Sequence, residues 1–236
     1  MELPKVTESR LPNVEHGRWY NDACGTAFAM ELIGERWSLL TVRELMLGPR
    51  RFSDLRASLP GLSAKVLTER LAGLEAAGAL IRRKLPPPAS VQVYELTAWG
   101  YALKPAIQEL GRWAAMHRGH DPQLPLSPVS FMLSLGTMMD RDAAAALAMT
   151  AGVTIAGDSF LAELARGELH ARRADRAELE SQARFTFVAD APLPLLRLFY
   201  GKQPLEQAEQ AGVILGGDRE AASRFIALFS LPEKLA

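Results

Sequence analysis

Along residues 62–78 the apolar positions Leu67, Leu71 and Leu74 fall four and three apart. That spacing makes one stripe on a helix and turns Lys65, Thr68, Glu69 and Ala72 to the opposite side. Both ends of this helix carry local signals: Ser63 opens it, Leu62 and Leu67 stand at the two positions of a hydrophobic staple, and Gly78 supplies the left-handed residue that closes it. A shorter helix precedes it, opening at Ser53 as N-cap and stopped by Pro60-Gly61, which cannot continue a helix cheaply. Downstream the pattern changes to that of a hairpin. Residues 81–85 and 91–96 read as its strands, and Pro86, Pro87, Pro88, Ala89 and Ser90 as a stiff loop without ladder donors. Thr97 is placed to cap a further helix whose Leu103, Ile107, Leu110 and Ala114 form a stripe running past Trp113, a candidate dimer surface.

Helix, turn, helix and hairpin in this order make a winged helix-turn-helix, a DNA-reading unit. The exposed side of its second helix would meet a major groove. Lys65 and Thr68 lie near the end that reaches base edges, and Arg70 lies to one side, toward phosphate. Glu69 has two roles open to it, accepting from cytosine or orienting Arg70 or Lys65. Arg82, Arg83 and Lys84 edge the wing. The candidate DNA contacts are therefore Arg50, Arg51, Ser63, Lys65, Thr68, Glu69, Arg70, Arg82, Arg83 and Lys84, each with the alternative of a solvated helix or strand face.

Charge favours DNA. From Arg50 to Lys84 there are eight basic and three acidic residues, although the whole chain sums to zero. A basic patch coinciding with this pattern is the footprint of phosphate binding.

After residue 120 three prolines, Pro122, Pro125 and Pro128, fall within residues 121–128 and read as a semi-rigid linker. More than a hundred residues follow, room for a second core. The domain reading is thus 1–120, a linker at 121–128, and 129–236. In the second domain, strands are predicted at 153–156, 159–165, 183–189 and 213–215, and helices at 193–200, 204–211 and 219–229, the last capped by Asp218 after Gly216-Gly217. Phe160, Leu164, Phe185, Phe187, Leu196, Phe199, Phe225 and Phe229 either line an apolar pocket or fill a core.

Cys24, GERWSLLTVREL (residues 34–45), GPRRFSDL (48–55), LSAKVLTERLAGLEAAG (62–78) and VYELTAWGYAL (93–103) resemble the HxlR-type family of bacterial winged helix regulators. The resemblance covers about half the chain. It implies a homodimer on a two-fold symmetric operator, a recognition helix in each major groove, and dimer contacts from helices around residues 27–37 and from the helix ending near Trp113. The ending FTFVADAPLPLLRLFYGKQPLEQAEQAGVILGGDREAASRFIALFSLP (185–232) is similar to the last part of the sterol carrier protein fold, in which a strand, a helix, a small strand and a capped helix cover an apolar cavity. The fold class is accordingly α+β, an N-terminal winged helix-turn-helix domain followed by a sterol-carrier-like one.

The single cysteine, Cys24, allows no intramolecular disulfide and fits a reducing cytoplasm. A cysteine here resembles the redox sensor of some family members, its pKa open to lowering by Arg18 or by a helix starting near Gly25. Equally, it is a small buried apolar residue. His16, His117, His120 and His170 are scattered, and no carboxylate or cysteine completes a metal site near the helically spaced His117 and His120. With no phosphate loop and no Gly-x-Ser-x-Gly elbow, no catalytic residues and no cofactor are expected. Nor is membrane insertion, since no apolar run approaches twenty residues and MELPKVTESR is polar.

The function these readings predict is a DNA-binding transcriptional regulator, by default a repressor, with double-stranded DNA, a second copy and a small apolar or amphipathic ligand as partners. Its coupling element would be the helix ending near His117 with the linker behind it. Two alternatives stay open: a redox switch through Cys24, and a lipid or acyl carrier that uses the winged helix only as a dimer scaffold.

Overall fold

The computed structural model describes residues 20–87 and 90–235, so the expectations concerning His16, Arg18, Pro88 and Ala89 lie outside the described residues. Helices α1 (Gly25–Ile33), α2 (Ser38–Leu45), α3 (Phe52–Ser58) and α4 (Ala64–Ala76) come first, followed by the hairpin β1 (Leu80–Lys84) and β2 (Gln92–Leu96), then α5 (Ala98–Tyr101) and α6 (Lys104–Ala115). α4 is bounded as its sequence predicts. Ser63 Oγ accepts the Val66 N–H at 3.2 Å, Leu62 and Leu67 are both buried, and Gly78 takes φ +76°.

The hairpin strands start one residue away from expectation, and two helices differ from theirs. Ser53 lies inside α3, whose N-cap is Arg51; the carboxylate of Asp54 accepts the Arg51 N–H at 3.4 Å, so an acid in the first turn does the capping assigned to serine. The helix after Thr97 is split. Thr97 Oγ1 accepts the Gly100 N–H at 3.1 Å, but Pro105 has no N–H to carry the ladder on and instead sits in the first turn of α6.

The second half holds α7 (Pro128–Met138), α8 (Arg141–Ala144), β3 (Met149–Ile155), β4 (Asp158–Ala165), β5 (Glu168–Arg173), α9 (Arg176–Gln182), β6 (Phe185–Ala189), α10 (Pro192–Phe199), α11 (Leu205–Gln210), β7 (Ile214–Gly217) and α12 (Arg219–Ala227). Its sheet runs β5-β4-β3-β6-β7, antiparallel except for β3 beside β6. The parallel pair needs a crossover, which β4, β5 and α9 provide. Before α12, Gly217 takes φ +82° and a Cβ there would meet the Arg184 carbonyl oxygen at 2.5 Å, so only glycine lets β7 close on β6. Asp218 then caps α12 through the Ala221 N–H at 2.9 Å.

The eight apolar residues expected to line a pocket or fill a core are buried, and all but Leu196, which also borders a cleft, are packed core. Phe185, Phe187, Phe199, Phe225 and Phe229 touch one another, with centroids 4.9 Å apart for Phe225–Phe229, 5.3 Å for Phe187–Phe199 and 5.5 Å for Phe185–Phe225. Phe160 lies under the Arg173 guanidinium at 5.0 Å, and Leu164 and Leu196 are buried. The rings themselves occupy the space between them, as interiors packed to crystal density do.

The stretch read as a linker is anchored at its end. Leu126 is half-buried against the core, and Ser127 caps α7 while donating to Glu44 Oε1 at 2.7 Å. α7 is buried nearly all round because α2, α6, α10 and β5 surround it, and one apolar cluster runs from Val42 through Val129 to Phe229. A polar clamp joins the halves as well: Arg50 Nη1 lies 2.9 and 3.0 Å from the two oxygens of Asp158, and Arg173 Nη1 lies 2.8 Å from Oδ1.

Partial burial pushes the Asp158 carboxyl up, but Arg173 and Arg50 outweigh it and hold its pKa below the ordinary carboxylate value. The clamp's contribution is therefore fully present above the unfolded-state value of about 4 and is lost as pH falls through the lower folded-state value. Asp158→Asn is expected to lower the unfolding free energy at pH 7 by about 2 kcal/mol and to flatten the pH dependence below about pH 4. Urea unfolding across pH checks this, and equal stability of the two proteins at pH 7 would contradict it.

Candidate nucleic-acid interface

The buried stripe Leu67, Leu71 and Leu74 seats α4 against α2 and β1. Lys65, Thr68, Glu69 and Ala72 are consequently exposed, with Lys65 and Thr68 in the N-terminal half of the helix. Ser63 spends an oxygen lone pair on the Val66 N–H and keeps its hydroxyl hydrogen. The Thr68 hydroxyl donates to the Ala64 carbonyl at 2.9 Å and retains its acceptor capacity. Arg82 and Lys84, two residues apart on β1, share one face of the hairpin and are exposed, as are Arg51 and Arg56 beside and on α3. Among the described residues, the side chains of Arg56, Lys65, Arg82 and Lys84 have no ion-pair or hydrogen-bond partner. Cations left unpaired at a surface are available to phosphate.

Three of the ten candidate contacts are committed elsewhere. Arg50 faces Asp158 and Ser58 with 11% of its side chain exposed, and its backbone pairs with Tyr94, so it joins the two halves instead of reaching outward. Arg70 donates through Nε to the Arg36 carbonyl at 3.0 Å and pairs with Glu35 at 3.2 Å, tying α4 to the turn between α1 and α2. Arg83 pairs with Glu95 across the hairpin. Glu69 stays exposed and does not orient Arg70, whose carboxylate partner is Glu35. Sequence carried no sign of the Arg50 and Arg70 partners, which lie 108 and 35 positions away. The Arg83 pair is a diagonal neighbour in a hairpin whose register the turn sets.

Cys24 is exposed at the N-cap of α1, and the N–H groups of Thr26 and Ala27 hold its thiol below the ordinary value. The exposed apolar side chains Met30 on α1 and Leu110 and Trp113 on α6 lie on the helices read as dimer-forming. His117 Nδ1 accepts the Gly119 N–H at 3.0 Å, and among the described residues no group of three or more His, Cys, Asp or Glu is placed to hold a metal. Among the same residues no helix is long and apolar enough to cross a membrane.

Residues 32–122, which contain α2 to α6, match the family described as HxlR-like helix-turn-helix. YvaP of Bacillus subtilis (strain 168), an uncharacterised HTH-type transcriptional regulator, is 41% identical over 87 residues, 36% of this chain and 80% of the relative. The HTH-type transcriptional regulator YodB of the same organism is 40% identical over 86 residues, 36% of this chain and 77% of the relative. The solved reduced form of YodB from B. subtilis is similar over 42% of this chain and 100% of its own, at 35% identity and a TM-score of 0.38.

Lys65→Ala and Arg82→Ala are each expected to flatten the dependence of log affinity for duplex DNA on log salt by about one unit. Arg50→Ala should leave that slope unchanged and lower the urea midpoint. Fluorescence anisotropy over a salt series, with parallel unfolding curves, separates the two effects; an Arg50→Ala slope as flat as that of Lys65→Ala would contradict the assignment.

Proposed function

Because the chain belongs to the HxlR-like helix-turn-helix family of transcriptional regulators, we propose that it is a homodimeric repressor that binds a two-fold symmetric operator and responds to a small apolar or amphipathic molecule. The observation that carries this reading is the exposed face of α4, where Lys65, Thr68 and Glu69 are turned outward, together with the unpaired wing cations Arg82 and Lys84. Lys65 and Thr68 read base edges from the N-terminal half of the helix, while Arg51, Arg56, Arg82 and Lys84 hold phosphate and set the register. Met30, Leu110 and Trp113 supply apolar surface for a second copy. Two-fold symmetry then spaces the half-sites by roughly 34 Å or a multiple of it. The C-terminal half, with its order β6, α10, α11, β7 and Asp218-capped α12, acts as a sterol-carrier-like effector module. Its ligand regulates only through a difference in affinity between DNA-competent and DNA-incompetent dimers.

A redox reading stands second, favoured by the exposure of Cys24 and by the helix N-terminus that stabilises its thiolate.

In anisotropy titrations the full chain should prefer its own upstream DNA to a random duplex, and Lys65→Glu should weaken that complex at least about tenfold with the fold intact by circular dichroism. Equal affinity for both duplexes at every salt concentration would refute the regulator. Cys24→Ser should abolish a peroxide response of DNA binding if the redox reading holds; an unchanged response removes it.

A further inference from the structure

α6 and α7 approach closely at one point, where a Cβ on Gly136 would stand 3.2 Å from Gln108 Nε2. Beside this contact the helices enclose a cleft of about 380 Å³, within the roughly 300–1,000 Å³ typical of small-molecule sites. Its apolar wall is Ile107 and Ala115 from α6, Leu126 from the segment before α7, Leu133 and Met138 from α7, and Leu196 from α10. Gly111, in the interior of α6, also faces it. A Cβ at Gly111 would meet nothing within 4 Å, so no close approach demands glycine there, although glycine weakens a helix interior. Its effect is to leave the cleft open.

The polar groups in the wall define what the cleft accepts. Among the described residues the Gln108 carboxamide has no hydrogen-bond partner, leaving both a donor and an acceptor. Ser134 Oγ donates to the Phe131 carbonyl at 2.7 Å, so its 2.7 Å bond with Tyr200 is donated by the tyrosine. Burial raises the Tyr200 pKa, which keeps that hydroxyl protonated. The Tyr200 oxygen keeps a lone pair for a further donor. No cation in the wall is unpaired: Arg43 is already bonded to Glu44 Oε1 at 2.8 and 3.0 Å, and burial together with the nearby Lys234 ammonium holds the His120 pKa below its ordinary value, while the Asp121 carboxylate is exposed at the rim. Nothing in the wall is left to compensate a buried anion, whose transfer from water would be costly.

We infer that this cleft is a binding site for a small neutral ring compound bearing one hydroxyl or carbonyl group, its apolar body against Ile107, Leu126, Leu133 and Leu196 and its polar group at Gln108. The inference rests on the regulator reading for its consequence. One wall of the cleft is α6, which carries Leu110 and Trp113; the other is the C-terminal half with the segment leading into α7. An occupant touches both and fixes α6 against the C-terminal half, and with it the spacing of the two α4 helices in a dimer.

The test is isothermal titration of the full chain with the bicyclic phenol 1-naphthol, in the absence of DNA. One-to-one binding is expected, with 1-naphthoate at least about tenfold weaker and Gly111→Leu, which fills the cleft from α6, weakening 1-naphthol at least about tenfold. Gln108→Leu, a second and milder change, should also weaken it, so the site remains testable if Gly111→Leu does not fold. Absence of binding to the full chain, 1-naphthoate binding as tightly as 1-naphthol, or unchanged affinity in a folded Gly111→Leu or Gln108→Leu protein would overturn the site. Because DNA takes no part, such a failure leaves promoter binding intact, and a failure of promoter binding leaves the cleft intact.

Discussion

Asp158 holds one arginine from each half of the chain, and this contact fixes how the basic segment before α3 meets the sheet of the second half. A partly buried carboxylate needs charge partners; Arg50 from the segment before α3 and Arg173 from β5 supply them. The clamp accompanies a shared apolar core in which α7 is enclosed between α2, α6, α10 and β5. Two consequences follow for the functional surfaces. Arg50 is withdrawn from the basic face that its sequence neighbours Arg51 and Arg56 keep. The C-terminal half also lies close enough to α6 to form a cleft whose walls come from both halves.

What was legible in the sequence was local. The ends of α4 were readable because Ser63, the Leu62–Leu67 staple and Gly78 act within a few residues of themselves. β6 showed through the alternation of Phe185 and Phe187 with polar neighbours, whereas β5 was not expected and only the end of β3 was. Asp218 at the start of α12 was equally plain. At α3 two local signals competed, and the acid at Asp54 took the role assigned to Ser53.

The unreadable parts were those settled by distant partners. α7 escaped because a helix buried on nearly every side shows no amphipathic period. The roles of Arg50 and Arg70 depended on Asp158 and Glu35, which no spacing rule connects to them. Whether the phenylalanines lined a cavity or filled a core was a question of packing density, which composition does not encode; the rings fill the space, and the open volume lies instead at the boundary between the halves, where Gly111 has no side chain to fill it.

The central claim is that α4 and the wing, duplicated by two-fold symmetry, read a specific DNA site. Hydroxyl-radical footprinting of the full chain on its own upstream DNA tests it most directly. The account predicts two protected patches related by a dyad, with centres roughly 34 Å or a multiple of it apart. Uniform protection without a preferred position, or a single patch lacking a symmetry mate, would contradict it.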